Sequence, residues 1–400
     1  MQLIPLVTVA IAAAALYAVN RRLGRLPATI GVTIWALLAS LALVAAGALG
    51  SPVQALARGV MSRLHFRETL LDWMLSLLLF AGALEVDLDA LIGERALVGA
   101  LATVGVALST AIVGGLTLAA SRLCRLPLTL RDCLLFGAIV SPTDPIAVIG
   151  MLRTARAPKR LEVQMAGESL FNDAVGVVVF FALLEIAAGR TVGAASVSLS
   201  FVTEVAGGSL LGLGAGWIAR RVLRAIDNVV VALGVTLAIA AGLNPLAERL
   251  HASGYLAVII AGLMIGSVRT APKLRTLWEI VDEILNVILF AMVGFEVLLI
   301  PFTGRVLAAG LLAVPVVLLA RLAVVAGTLA PFARRLSLPP RSIAILTWGG
   351  LRGGLAIALA LSVGWEVGAA PILLAMTYVV VIFSIVVQGL TFKRLLPPAA

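Results

Sequence analysis

Charge is scarce in this sequence. Charged residues make up 12% of its 400 positions, against about a quarter in a soluble domain. Cysteine and histidine are scarcer still, two of each, and aromatics reach only 6%. No Cys/His cluster exists for zinc or haem, so no cofactor is expected. Cys133 falls inside an apolar run, which argues against a disulfide with Cys124. His65 and His251 both fall in links, where a pH-sensing role is open but an ordinary solvated one is expected. No GxxxxGK[ST] loop is present, which excludes a nucleotide-driven pump. No buried histidine stands near a serine, which excludes intramembrane serine proteolysis. The formal charge of +10 does not point to nucleic acid, because the basic residues sit in short links between apolar runs.

Apolar residues are abundant, at 62%, and the mean hydropathy is +1.13. The chain reads as an all-α polytopic membrane protein whose surroundings are the lipid bilayer. A span needs about 20 residues, which gives about thirteen. Their approximate cores are 3–20, 30–50, 69–84, 96–120, 132–152, 162–188, 197–219, 228–246, 253–268, 280–300, 305–332, 342–363 and 370–391. The N-terminal run lacks a basic start and reads as a first span, not a cleaved signal. No cytosolic domain is expected after Lys393 and Arg394.

Lys and Arg set the orientation. With the N-terminus outside, the inner links collect Arg21, Arg22 and Arg25; Arg95; Arg153, Arg156, Lys159 and Arg160; Arg220, Arg221 and Arg224; Arg269, Lys273 and Arg275; Arg334, Arg335 and Arg341; Lys393 and Arg394. These are nineteen of the thirty basic residues, against nine outside; Arg321 and Arg352 fall within spans. An odd span count places the C-terminus inside.

Two spans carry what lipid should reject. Span five is broken at Ser141-Pro142-Thr143-Asp144-Pro145, and span six carries Glu168, Ser169, Asn172 and Asp173. A charged side chain at bilayer depth costs roughly 2.5–3.5 kcal/mol on insertion scales. Prolines around an acid interrupt a helix and free backbone groups that need new partners. Span twelve is broken at Gly349-Gly350-Leu351-Arg352-Gly353-Gly354, seven spans later. The odd offset implies two inverted repeats, each with a discontinuous helix, and such breaks point to a transporter's binding site near the midplane.

Asp144 reads either as a helix cap or as a ligand; its carboxylate and the freed carbonyls near Thr143 are hard oxygen donors. Ser169, Asn172 and Asp173 share a helix face at i, i+3 and i+4. Ser169 and Asn172 also fit ordinary interhelical hydrogen bonding. Together the oxygens suit a hard ion such as Na⁺. Glu168 is expected to pair with Arg352, and Arg321 with an acid such as Glu185 or Glu296. The acids Glu85, Asp87, Asp89 and Glu94 read mostly as a solvated link, and Glu279, Asp282 and Glu283 likewise; either group could line a cation funnel. Without an energy source in the chain, an ion gradient is the expected driver.

At LLLFAGALEVDLDAL (77–91), SPTDPIAVIG (141–150), GESLFNDAVGVVVF (167–180) and WGGLRGGLAIALAL (348–361) the sequence resembles the monovalent cation/proton antiporter-1 family of Na⁺/H⁺ exchangers, across essentially its whole length. The resemblance implies thirteen spans and a homodimer. It implies a dimerisation domain at 1–94 (spans one to three) and 191–302 (linker span seven and spans eight to ten). The transport core would be 95–190 (spans four to six) and 303–400 (spans eleven to thirteen). Asp144, Asp173, Thr143 and Ser169 would bind the cation, Asn172 would orient Asp173, and Glu168 would pair with Arg352. Electrogenic relatives carry two acids where Asn172-Asp173 stands, so one-for-one exchange is implied. Ala81 stands where some members have an acid, with Glu85 one turn on. The expected activity is exchange of Na⁺ or Li⁺ for H⁺, the two competing for Asp144 and Asp173, in a bacterial cytoplasmic membrane. A K⁺/H⁺ antiporter on the same scaffold, a passive cation channel and a membrane sensor are the alternatives.

Overall fold

Away from water, backbone N–H and C=O groups must be paired within the protein, and helices do this segment by segment. The computed structural model describes residues 3–123, 125–155, 157–187, 194–267, 271–300, 303–330, 341–364 and 367–396, and no strand occurs among them. Cys124, Arg156, Arg269, Arg334 and Arg335 lie outside the described residues.

The first helices are α1 (Leu3–Val19), extended by a π turn at Asn20–Gly24, and α2 (Ala28–Ala48). The link after α2 contains a helix that was not expected, α3 (Val53–Leu64). Its Ala57, Val60, Met61 and Leu64 recur at helical spacing and face inward. It ends at His65, whose φ of 49° turns the chain into α4 (Phe66–Thr69). A π turn at Leu70–Met74 then leads into α5 (Leu75–Glu85). Next come α6 (Leu88–Ala102) and α7 (Val104–Leu123), followed by the two short helices α8 (Leu130–Val140) and α9 (Ile146–Thr154). The long helices α10 (Lys159–Ala187), α11 (Ala194–Arg224) and α12 (Val229–Arg249) precede α13 (Gly254–Ile265), α14 (Ala271–Phe295) and α15 (Gly304–Leu329). A second pair of short helices, α16 (Ser342–Trp348) and α17 (Gly354–Ser362), precedes α18 (Ala370–Phe383), which runs on to Leu395.

Eight stretches are long and apolar enough to cross a membrane: Ile4–Gly24, Ala28–Ala48, Leu88–Leu123, Lys159–Ala187, Leu199–Arg224, Val229–Arg249, Gly304–Leu329 and Ala370–Leu395. The other expected spans fall on helices that are interrupted, short or charged. The crowded junction at Asn244-Pro245 does not end a helix; α12 continues through it to Arg249, and Asn244 donates to Glu248 at 3.1 Å.

Packing sorts the helices into two groups. In one, α14 lies on α1, α2 and α5, while α13 joins α5, α11 and α12. Phe80 of α5 and Trp278 of α14 pack ring to ring at 4.8 Å, and the Trp278 indole N–H donates to Thr236 of α12 at 2.9 Å. In the other, α8 lies on α7 and α10, and α15 joins α7 and α18. Small residues allow the closest approaches, as expected where packing alone drives helix association. A Cβ on Gly137 of α8 would run into the Thr110 backbone of α7.

Candidate cation site

The two helix breaks touch. The Asp144 amide donates to the Leu351 carbonyl at 2.8 Å. Arg352 Nη1 donates to the Ser141 and Pro142 carbonyls at 2.7 and 2.9 Å. These are carbonyls that the end of α8 leaves without helical partners, so a buried guanidinium takes the place of the missing turn. Gly353 lies flat against Asp144, where a Cβ would sit 2.7 Å from the Asp144 Cβ. The glycines that break the second span therefore also make room for the first.

α10 closes the site from a third side. Ser169 donates to the Thr143 carbonyl. Asn172 Nδ2 donates to Thr143 Oγ1 at 2.8 Å, and Asn172 Oδ1 accepts from the Thr143 amide at 3.3 Å. Asp144 Oδ1 accepts from the Ile146 amide at 3.1 Å, so Asp144 caps α9 with one oxygen. Its cap role and a ligand role are compatible, because a carboxylate has two oxygens and several lone pairs.

Thr143, Asp144, Ser169 and Asp173 line one cavity of about 490 Å³. Asp144 and Asp173 come from different elements and are close enough to interact electrostatically. Neither forms an ion pair among the described residues. Arg352 is near enough to Asp173 to attract it, while its own hydrogen bonds go to carbonyls. The donors facing the cavity are oxygens of carboxylate, hydroxyl and carbonyl type, a hard set suited to a monovalent cation.

Two expected pairings are corrected. Glu168 does not take Arg352; it takes both terminal nitrogens of Arg321, one at 3.0 Å, in a fork geometry that suits arginine. Arg321 also donates to the Leu346 carbonyl at 3.1 Å, tying α10 and α15 to the end of α16. Arg321 is thus not the partner of Glu185 or Glu296. Asn172 does not hydrogen-bond Asp173 among the described residues; it pins the break at Thr143. Sequence offered two buried arginines for one glutamate, with no signal to choose between them.

The mouth of the cavity is more ordered than expected. Arg153 pairs with Glu85 at 3.1 Å and Glu162 at 2.6 Å, Lys159 with Asp87 at 3.6 Å, and Arg160 with Glu94 at 2.6 Å. Asp87 also caps α6, and the Ala90 amide, the nearby Lys159 and the Asp89 amide hold its carboxyl below the usual range. Ala81 is buried in α5 and offers no ligand.

A model of the family described as "Sodium/hydrogen exchanger, transmembrane" matches residues 7–397. The chain is 41% identical to the Na⁺/H⁺ antiporter NhaP of Pseudomonas aeruginosa, over 94% of this chain and 92% of that one. It is 33% identical to the Na⁺/H⁺ antiporter NhaH of Halobacillus dabanensis, over 83% of each. Among solved structures, the sodium proton antiporter MjNhaP1 of Methanocaldococcus jannaschii superposes with a TM-score of 0.80. That match covers 99% of this chain and 98% of the other at 18% identity, a likeness of fold.

Proposed function

Because the chain belongs to the sodium/hydrogen exchanger family, we propose that it exchanges Na⁺, or Li⁺, for H⁺ across a membrane, one for one. The observation that carries this reading is the presence of Asp144 and Asp173 in one cavity, neither paired to a basic side chain among the described residues. Na⁺ and protons then compete for the same carboxylate oxygens, with Thr143 and Ser169 completing the ligand set. Asn172 holds the break in register, Glu168 and Arg321 neutralise each other, and Arg352 contributes one fixed positive charge.

The charge count supports one-for-one exchange. Two carboxylates and Arg352 sum to one negative charge. A single Na⁺ or a single proton brings that sum to zero, and a neutral core crosses low-dielectric surroundings at far less cost than a charged one. The loaded site moves between inward and outward states; the empty one does not. No separate proton path is required.

The two packing groups support a division into a dimerising part, 1–94 and 191–302, and a moving core, 95–190 and 303–400. We place thirteen spans in two inverted repeats, the N-terminus outside and the C-terminus inside, in a bacterial cytoplasmic membrane. In that orientation the cavity opens inward. The exposed apolar faces of α1 and α11, with Ile4, Ile11, Leu199 and Leu210, suit either lipid or a second copy in a homodimer. A K⁺/H⁺ antiporter differs only in cation size. A panel of Na⁺, Li⁺ and K⁺ with a pH-gradient dye in proteoliposomes tests both: Na⁺ and Li⁺ are expected to collapse the gradient and K⁺ to leave it. A response to K⁺ alone would replace the sodium reading, and currents through single open pores would revive the channel.

A further inference from the structure

A second carboxylate station stands in the same cavity, on the opposite helix. Arg275, Asp282 and Leu289 all line the cavity, seven residues apart along α14. That spacing is two helical turns, about 10 Å per step, so they form one stripe along a single face. Leu289 packs against Gly354, next to the Gly353 that backs Asp144. Arg275 is held at the other end by its hydrogen bond to the Gly266 carbonyl, at 2.9 Å. Asp282 therefore lies partway between the mouth and the Asp144/Asp173 pair, and it interacts electrostatically with both Glu85 and Asp144.

Its surroundings set it apart from the other acids of the funnel. Glu85, Asp87 and Glu162 each have a basic partner. Asp282 has none among the described residues. Its neighbour on α14, Glu283, turns away and accepts from the Tyr17 hydroxyl of α1 at 3.1 Å. Asp282 sits inside a helix, so it is no cap. It is held by Asn286, one turn on, whose Nδ2 donates to Asp282 Oδ2 and to the Asp282 carbonyl, both at 2.9 Å. Asn286 is itself 2% exposed, and its Oδ1 has no hydrogen-bond partner among the described residues. A buried amide oxygen without a donor is costly. A cation beside the fixed carboxylate would satisfy it.

We infer that Asp282 and the Asn286 amide oxygen form a second binding station for a monovalent cation, which receives the ion from the mouth before Asp144 and Asp173 take it. The station rests on the exchange function proposed above. It is carried by α14, which packs outside the helix group that bears Asp144 and Asp173, so it loads the site without moving with it.

The test has two arms, on the full chain, with Asp282→Asn and Asp282→Glu. Equilibrium dialysis with thallous ion, as a monovalent probe, reads stoichiometry in detergent. Two ions per chain are expected in the parent, one in Asp282→Asn and two in Asp282→Glu. Equal stoichiometry in the parent and Asp282→Asn overturns the station. Exchange in proteoliposomes reads its role: Asp282→Asn is expected to raise the Na⁺ KM by about threefold to tenfold, the effect of one charge about 10 Å away in a wet cavity, with the maximal rate kept and the KM restored by Asp282→Glu. A fall in maximal rate at constant KM would mark a merely structural residue and overturn the inference. A parent that binds two ions yet shows no Na⁺-driven proton flux would sink the exchange reading and leave the station standing.

Discussion

At the scale of single residues, the sharpest contrast is between the acids that are paired and those that are not. Glu168 is 2% exposed and Arg321 6%, and they neutralise each other in a fork. Removing one partner of such a buried pair strands a charge, at a cost of about 3–5 kcal/mol. Arg321→Met is therefore expected to lower the thermal unfolding midpoint sharply, whereas the double variant Glu168→Gln/Arg321→Met recovers most of the loss; equal destabilisation by single and double variants would contradict the pairing. The mouth bridges differ in kind. Arg153 is half exposed, and exposed bridges are worth about 0–1 kcal/mol. Arg153→Ala should leave the midpoint nearly unchanged, as thermal denaturation can check. Asp144 and Asp173 were legible as site residues because acids without basic neighbours are conspicuous in apolar runs. The partner of Glu168 was not legible, because Arg321 and Arg352 carry the same charge in equally apolar settings and only the packing of α15 against α16 chooses between them.

At the scale of elements, each broken span makes sense only with the other. Pro142 and Pro145 end one helix and start another; the glycines from Gly349 to Gly354 do the same later in the chain. The Asp144–Leu351 backbone bond and the Arg352 contacts to Ser141 and Pro142 join the breaks. Close packing of glycines holds them: a Cβ on Gly176 of α10 would run into the Pro142 ring, and one on Gly353 into Asp144. Gly353→Ala is expected to leave a folded protein whose exchange rate falls by about tenfold or more, since small displacements of binding groups are costly in rate; wild-type flux in that variant would show that the breaks need not meet so closely. The breaks themselves were readable from proline and glycine. The helix α3 was not, because its apolar residues form only one stripe on an otherwise polar run, too weak for a search tuned to continuous apolar spans.

At the scale of the whole molecule, the fold follows from composition and the site follows from its exceptions. An apolar chain must satisfy its backbone in helices, so every polar interruption needs a use. Here the interruptions converge on one cavity that opens past a ring of ion pairs. With Arg352 counted against Asp144 and Asp173, the site carries one net negative charge, so one-for-one exchange should proceed at the same rate under any membrane potential. Clamping the potential of proteoliposomes with a K⁺ gradient and valinomycin checks this, and a clear voltage dependence would contradict it. The most direct measurement of the central claim, that Na⁺ and H⁺ share Asp144 and Asp173, is the Na⁺ KM of exchange as a function of pH. On the acidic side it should rise by about tenfold for each unit of acidification while the maximal rate holds, as mass action requires of two ligands competing for one site. A KM that stays constant while the maximal rate falls would mean that the two ions bind in different places.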